Sequence, residues 1–217
     1  MTYLPYIPSW YQKIRKRLVW RLPANAAQQK VIYLSFDDGP IPGVTPWVLE
    51  QLKRHQATAT FFCIGENVEK HPSIFEAITA AGHQVGNHTQ HHLNGNKLSC
   101  DRYVEDVAEC NNFVQTKLFR PPFGRISPKQ TRALSEAGYK IIMWDSLAGD
   151  WDPERTAKQC FQNIVKHAHS GSIIVFHDSL KAWPRLQECL PQILEYYRQN
   201  GYLFKAITLQ NIAAAAQ

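Results

Sequence analysis

Before Asp37 the chain has no acidic residue, although Lys13, Arg15, Lys16, Arg17, Arg21 and Lys30 all lie in that stretch. The whole formal net charge of +6 therefore belongs to the first 36 residues, and the remainder balances 18 basic against 18 acidic side chains. A neutral body of this kind is unlike a nucleic-acid surface. Long apolar runs are also missing. The longest beside the N-terminal charges is Leu18-Val19-Trp20, too short for a spanning helix or the core of a secretory signal. A cytoplasmic or membrane-peripheral location is the expectation. The five cysteines are odd in number, widely spaced and without a Cys-x-x-Cys pair, which argues against cysteine metal ligands and for buried free thiols in a reducing compartment. No internal repeat, low-complexity tract or interdomain linker appears, so 217 residues with 44% hydrophobic content are expected to form one large core.

Residues 1–30 read as a basic, aromatic N-terminal extension to a domain spanning 31–217. Tyr3, Tyr6, Trp10, Tyr11 and Trp20 stand among the basic side chains, a mixture suited to peripheral contact with a membrane interface. Alternatively, Ile14, Leu18 and Trp20 pack the segment against the domain while the charges face solvent.

Further along, strand-like and helix-like stretches alternate. Helices are expected from Thr45, from Pro72 to Gly82, from Ser99, from Pro128 to Ala137, from Pro153 to His167 and from Pro184 to Gln199. Between them fall apolar strands at Val31–Phe36, Ala57–Ile64, Gln84–Asn87, Phe119–Arg120, Tyr139–Trp144, Gly171–Phe176 and Tyr202–Ala206. Such alternation predicts an α/β fold with a mostly parallel sheet and helical crossovers.

Polar residues collect where those strands end, the usual place for the active sites of parallel α/β folds. The first strand runs out into Asp37-Asp38-Gly39-Pro40. By itself this reads as an ordinary turn, yet two adjacent carboxylates repel and are commonly held together by a proton or a metal ion. Another strand runs out into His88-Thr89-Gln90-His91-His92. Residues four apart on a helical turn face the same way, so His88 and His92 can share one ion. With a carboxylate from the first strand they make a two-His-one-carboxylate set.

Ser35-Phe-Asp-Asp-Gly39 followed by His88-Thr-x-x-His92 resembles the first two motifs of the polysaccharide deacetylases. Arg120-Pro-Pro-Phe-Gly124 is similar to the third, Asp150-Trp151 to the end of the fourth and Ile174-Val-Phe-His177-Asp178 to the fifth. The resemblance implies a distorted (β/α) barrel with about seven strand-helix units, acting on an acetylated glycan or sugar. It also implies roles. Asp38, His88 and His92 would hold a divalent metal, Zn²⁺ first, with Co²⁺ or Ni²⁺ suited as well. Asp37 would be the general base, paired with Arg120, and His177 the general acid, oriented by Asp150. The backbone N–H of Phe123 would face the oxyanion, with Trp151 and Val175 lining the acetyl pocket.

The chain departs from the family pattern at three places. Leu147 replaces an acid of the fourth motif, Phe123 a common tyrosine and Val175 a common leucine. Two alternatives stand beside N-deacetylation of a peptidoglycan- or chitin-like glycan: an O-acetyl (xylan-type) esterase or amidase on a small N-acyl substrate, and an inactive carbohydrate-binding relative.

Overall fold

The computed structural model describes residues 7–22 and 29–214. Its strands are β1 (Leu18–Val19), β2 (Lys30–Asp37), β3 (Ala59–Cys63), β4 (Gln84–Asn87), β5 (Leu118–Phe119), β6 (Lys140–Ile142), β7 (Ser146–Leu147), β8 (Ile173–His177) and β9 (Tyr202–Phe204). Eight of them lie along one curled path in the order β1-β6-β5-β4-β3-β2-β8-β7, and β9 pairs with the lower end of β2. Every pairing between named strands is parallel. Parallel neighbours need crossovers. These are supplied by α2 (Val44–Arg54), α3 (Gly65–Lys70), α4 (Pro72–Ala80), α5 (Cys100–Cys110), α6 (Pro128–Glu136), α7 (Ala157–His167) and α8 (Trp183–Gln199), with α1 (Ser9–Ile14) and α9 (Leu209–Ala214) at the two ends.

From β2 onward the described residues make seven strand-then-helix units, closing with α2, α3–α4, α5, α6, α7, α8 and α9 in turn. The distorted barrel and its unit count agree with the expectation.

Period-two alternation along β2 divides the interior into layers. Ile32, Leu34 and Phe36 face the helices and pack with Phe61, Ile174 and Phe176. Val31 and Tyr33 face the other way and meet Phe62, Leu118, Ile142 and Ile173 inside the curl. Ser35 and Asp37 continue that inner face toward the strand ends, so the interior passes from apolar to charged as β2 rises.

Several expected elements have different bounds, and two of the differences have a visible local cause. The helix expected from Pro153 begins at Ala157, because Thr156 and Gln159 form a reciprocal capping box and residues 149–155 are spent on turns about Asp152. The strand expected at Tyr139–Trp144 is cut to Lys140–Ile142. Beyond it the chain leaves β6, and Asp145 N bonds Ile173 O at the start of β8.

Tyr3 and Tyr6 lie outside the described residues. Residues 18–22, placed by sequence in the extension, run in the barrel wall. Leu18 and Val19 pair with Ile141 and Ile142, and Leu22 N bonds Gly171 O at 2.9 Å beside a bridge from Arg21 to Ser172. The stretch after β1 thus reaches across to β8, and Leu22 is buried in the inner layer. Leu22→Ala is expected to destabilise the protein by about 2–5 kcal/mol, the usual cost of truncating a buried leucine. A loss below about 1 kcal/mol on that scale in urea unfolding would mean that this seam contributes nothing structural.

Candidate active site

Asp37 and Asp38 lie at the end of β2, where they separate. Asp37 continues the strand inward, and Asp38 takes a φ of 85° and turns away. In parallel register Asp37 stands opposite His177 at the end of β8 and opposite Phe62 in β3.

The fully buried Arg120, just past β5, is the hub of the site. Its Nη1 donates to Asp37 Oδ1 and to Ser35 Oγ, both at 2.7 Å, while Nε and Nη2 donate to the carbonyls of Ile142 and Met143. The guanidinium lies 4.0 Å from the centre of the Phe62 ring. Its own carbonyl faces His88 Nδ1 at 2.8 Å. That contact makes Nδ1 the protonated nitrogen and leaves Nε2 of His88 with its lone pair free. Burial pushes the His88 imidazolium down to about 4, against the opposing charges of Asp37 and Asp38, so the ring is neutral near pH 7.

Asp38, His88 and His92 converge as the metal reading requires. His92 Nε2 lies 3.3 Å and His88 Nε2 3.8 Å from Asp38 Oδ1, and one ligand atom from each residue falls within 4.8 Å of the others. Two donors on one Zn²⁺ at the usual bond lengths stand about 3.4 Å apart, so the donor set fits a single ion. Although burial works against ionisation, the nearby imidazoles hold the Asp38 carboxyl well below the usual range.

The histidines do not meet on a helical turn. Residues 88–92 form an irregular loop with positive φ at Thr89 (66°) and His92 (53°). The loop is held by groups outside it. Thr89 O and Gln90 O accept from the amides of Gly65 and Glu66 at the start of α3, and Asp106 Oδ2 accepts from the amides of Gln90 and His91. Asp106 is a residue the motif reading missed. Its signal was present, because an acid stood on the helix stripe with Tyr103, Val107 and Cys110.

His177 and Asp150 are paired as expected. Asp150 Oδ1 meets His177 Nδ1 and its Oδ2 accepts from His177 N, both at 2.8 Å. Partial burial lowers the pKa of the ring, but buried Asp150 and then Asp38 and Asp37 outweigh it and push the imidazolium up to about 9. Trp151 packs edge-on against this ring, with centroids 4.8 Å apart. Val175 is buried on the same face of β8, two residues before His177, with Leu147 of β7 opposite it.

Asp178 and Asp145 stand elsewhere. Asp178 is buried beneath the turn after β2, where it accepts from Gly39 N at 3.0 Å and Thr45 Oγ1 at 2.6 Å. Burial pushes its carboxyl up to about 8 despite those bonds. A Cβ on Gly39 would fall 2.0 Å from this carboxylate, so only glycine fits. Asp145 accepts from Ser172 Oγ and Ile173 N at the start of β8, the opposite end of the strand from His177. Leu147 is buried, and the carboxylate hydrogen-bonded to the His177 ring is that of Asp150.

Phe123 follows two prolines and adopts a φ of 58°. Pro121 and Pro122 have no N–H, so the amide of Phe123 is the first donor after Arg120. Its ring is exposed and lies 4.6 Å from that of His92.

The polysaccharide deacetylase family model matches residues 24–142, so Asp150, Trp151, Val175 and His177 lie beyond its end. A peptidoglycan-N-acetylglucosamine deacetylase of Bacillus cereus is 33% identical over 202 residues, covering 88% of this chain and 91% of that protein. A peptidoglycan-N-acetylmuramic acid deacetylase of Bacillus subtilis is 31% identical over 189 residues, 83% of this chain and 71% of that one. Among solved structures, a peptidoglycan N-acetylglucosamine deacetylase in complex with 4-naphthalen-1-yl-N-oxidanyl-benzamide aligns with a TM-score of 0.81 at 30% identity, covering 91% of this chain and 94% of that one.

Removing the hub should be costly in a particular way. Arg120→Ala leaves Asp37 buried and unpaired and is expected to cost about 3–5 kcal/mol. Arg120→Met combined with Asp37→Leu should recover much of that stability, since an apolar pair of similar bulk needs no compensation. Equal losses in denaturant titrations of the two variants would show that the ion pair is not the source of the effect.

Proposed function

Since the chain belongs to the polysaccharide deacetylase family, we propose that it hydrolyses N-acetyl groups of a peptidoglycan-like glycan, with a divalent metal held by Asp38, His88 and His92. The convergence of those three donors beside Asp37 and the His177–Asp150 pair carries this reading. The two curated relatives, named for the N-acetylglucosamine and N-acetylmuramic acid of peptidoglycan, support the substrate class.

Asp38, His88 and His92 would hold Zn²⁺, or Co²⁺ or Ni²⁺ in its place, which would supply Lewis acidity to a water molecule and to the acetyl carbonyl. Asp37 takes the proton from the attacking water. Arg120 holds its Oδ1, which fixes the carboxylate and leaves Oδ2 for that proton; the positive charge weakens the base, so its value lies in orientation. The Phe123 amide, turned by its positive φ, donates to the developing oxyanion. Because the backbone makes this contact, phenylalanine serves there as well as tyrosine. His177 protonates the leaving nitrogen, and Asp150 keeps it in the tautomer and charge state the step requires. Trp151 and Val175 wall the acetyl methyl.

Asp37 and Asp38 should separate by role. Asp37→Asn is expected to keep metal by elemental analysis while losing about 10²–10⁴ in turnover, the usual worth of a positioned base. Asp38→Asn and His92→Ala should lose metal, and a chelator should abolish acetate release from N-acetylated peptidoglycan fragments. Full release by metal-free protein sinks the assignment. Release from acetyl-xylan alone redirects it to O-acetyl esters.

The acid limb of the mechanism is testable by pH. A group with a raised pKa keeps its proton until the pH climbs past that value, so activity should persist up to at most about 9 and fall above it. A cation at the triad opposes the charged ring, which sets about 9 as the upper bound. Asp150→Asn should move the falling limb to lower pH, and His177→Ala should remove it along with most of the rate. An alkaline limb unchanged in both variants would mean that another group is the acid.

A further inference from the structure

We propose that residues 10–17 form a docking surface for an anionic phospholipid bilayer, a role independent of the deacetylase reading. Eight large apolar side chains are exposed among the described residues, and three of them, Trp10, Tyr11 and Ile14, fall within five consecutive positions. Trp10 is 65% and Ile14 69% exposed. They are four residues apart on α1 and therefore share one of its faces. Lys13, Lys16 and Arg17 are exposed beside them. No acid compensates these charges, because the chain has none before Asp37 and every ion pair among the described residues joins positions from Asp37 onward.

The segment is also anchored, so its outward face has a fixed presentation. The Tyr11 ring packs against Trp20 with centroids 5.7 Å apart, Gln12 Nε2 donates to Ile7 O, and Arg15 Nη2 donates to Ile126 O. Leu18 and Trp20 then bury the following residues in the outer core. Packing and surface contact, alternatives in the sequence, are here divided between two parts of one segment.

The composition of the face selects the partner. A soluble polyanion would account for the lysines and arginine but not for a tryptophan and an isoleucine turned to solvent. A bilayer interface accepts both, with the apolar pair entering the headgroup boundary and the cations meeting anionic lipid. No helix among the described residues is long and apolar enough to cross a membrane.

Sedimentation of the full chain with vesicles of phosphatidylglycerol mixed into phosphatidylcholine, against phosphatidylcholine alone, tests this. Binding should be confined to the anionic vesicles and be lost at high salt. Lys13→Gln/Lys16→Gln/Arg17→Gln should weaken it about tenfold to a hundredfold, and Trp10→Ser/Ile14→Ser about tenfold or more. Acetate release from a soluble oligosaccharide and the melting temperature should stay at wild-type values in both. If a multiple variant loses its melting transition, Lys16→Glu, at an exposed position, carries the same expected sign. Absence of binding to anionic vesicles by the full chain overturns the proposal. So does undiminished binding by the charge variant. Undiminished binding by Trp10→Ser/Ile14→Ser reassigns the surface to soluble polyanions.

Discussion

The Arg120 guanidinium, buried at the strand ends with Asp37 as its charge partner, is the constraint on which the site depends. A buried charge is tolerated only when paired and saturated with hydrogen bonds, and Arg120 meets that demand by reaching four acceptors on two strands' worth of chain. Satisfying it fixes Asp37 and Ser35 on β2 relative to the turn after β6. The carbonyl of the same residue orients His88. One side chain and its own backbone thus set the proposed base and one proposed metal ligand in a common frame. Lysine would keep the charge but could not reproduce the fork.

Around this hub the backbone is strained where the proposed chemistry lies. Among the described residues, five that are not glycine have positive φ: Asp38, Gln56, Thr89, His92 and Phe123. Gln56 follows the end of α2, and the other four belong to the site. Non-glycine residues persist in such conformations only where surrounding structure over-determines them. Here the supports are Asp178 beneath the Gly39 turn, Asn67 donating to the Asp38 carbonyl, and Asp106 with the first amides of α3 about the histidine loop. The prolines before Phe123 do the same work by stiffening the chain.

The polar supports lie outside the segments they support, on α3, on α5 and just past β8. This explains the division of labour along the barrel: apolar side chains fill the lower interior, while polar ones at the upper ends spend their hydrogen bonds on holding loops. Asp145 fits the same logic at the seam, where it saturates Ser172 and Ile173 rather than serving the proposed acid.

Much of this was legible in the chain. Alternating apolar strands and capped helices specify a mostly parallel α/β sheet because period and cap chemistry are local properties, and the resemblance to the deacetylases implied its closure into a distorted barrel. Motif spacing named the residues at the strand ends, since the residue after a buried strand must emerge at the same rim. Other features depended on contacts between distant segments. The histidines meet through a loop braced by Asp106 and α3, although their spacing suggested a helical turn. Residues 18–22 belong to the barrel wall because β6 and β8 leave a seam that Leu18, Val19 and Leu22 fill. Asp178 and Asp145, similar in sequence setting to Asp150, were parted from His177 by the hydrogen bonds available around each carboxylate. Periodicity and turn chemistry are written residue by residue, whereas the partner of a buried polar group is chosen only when the sheet curls and brings remote chain to it.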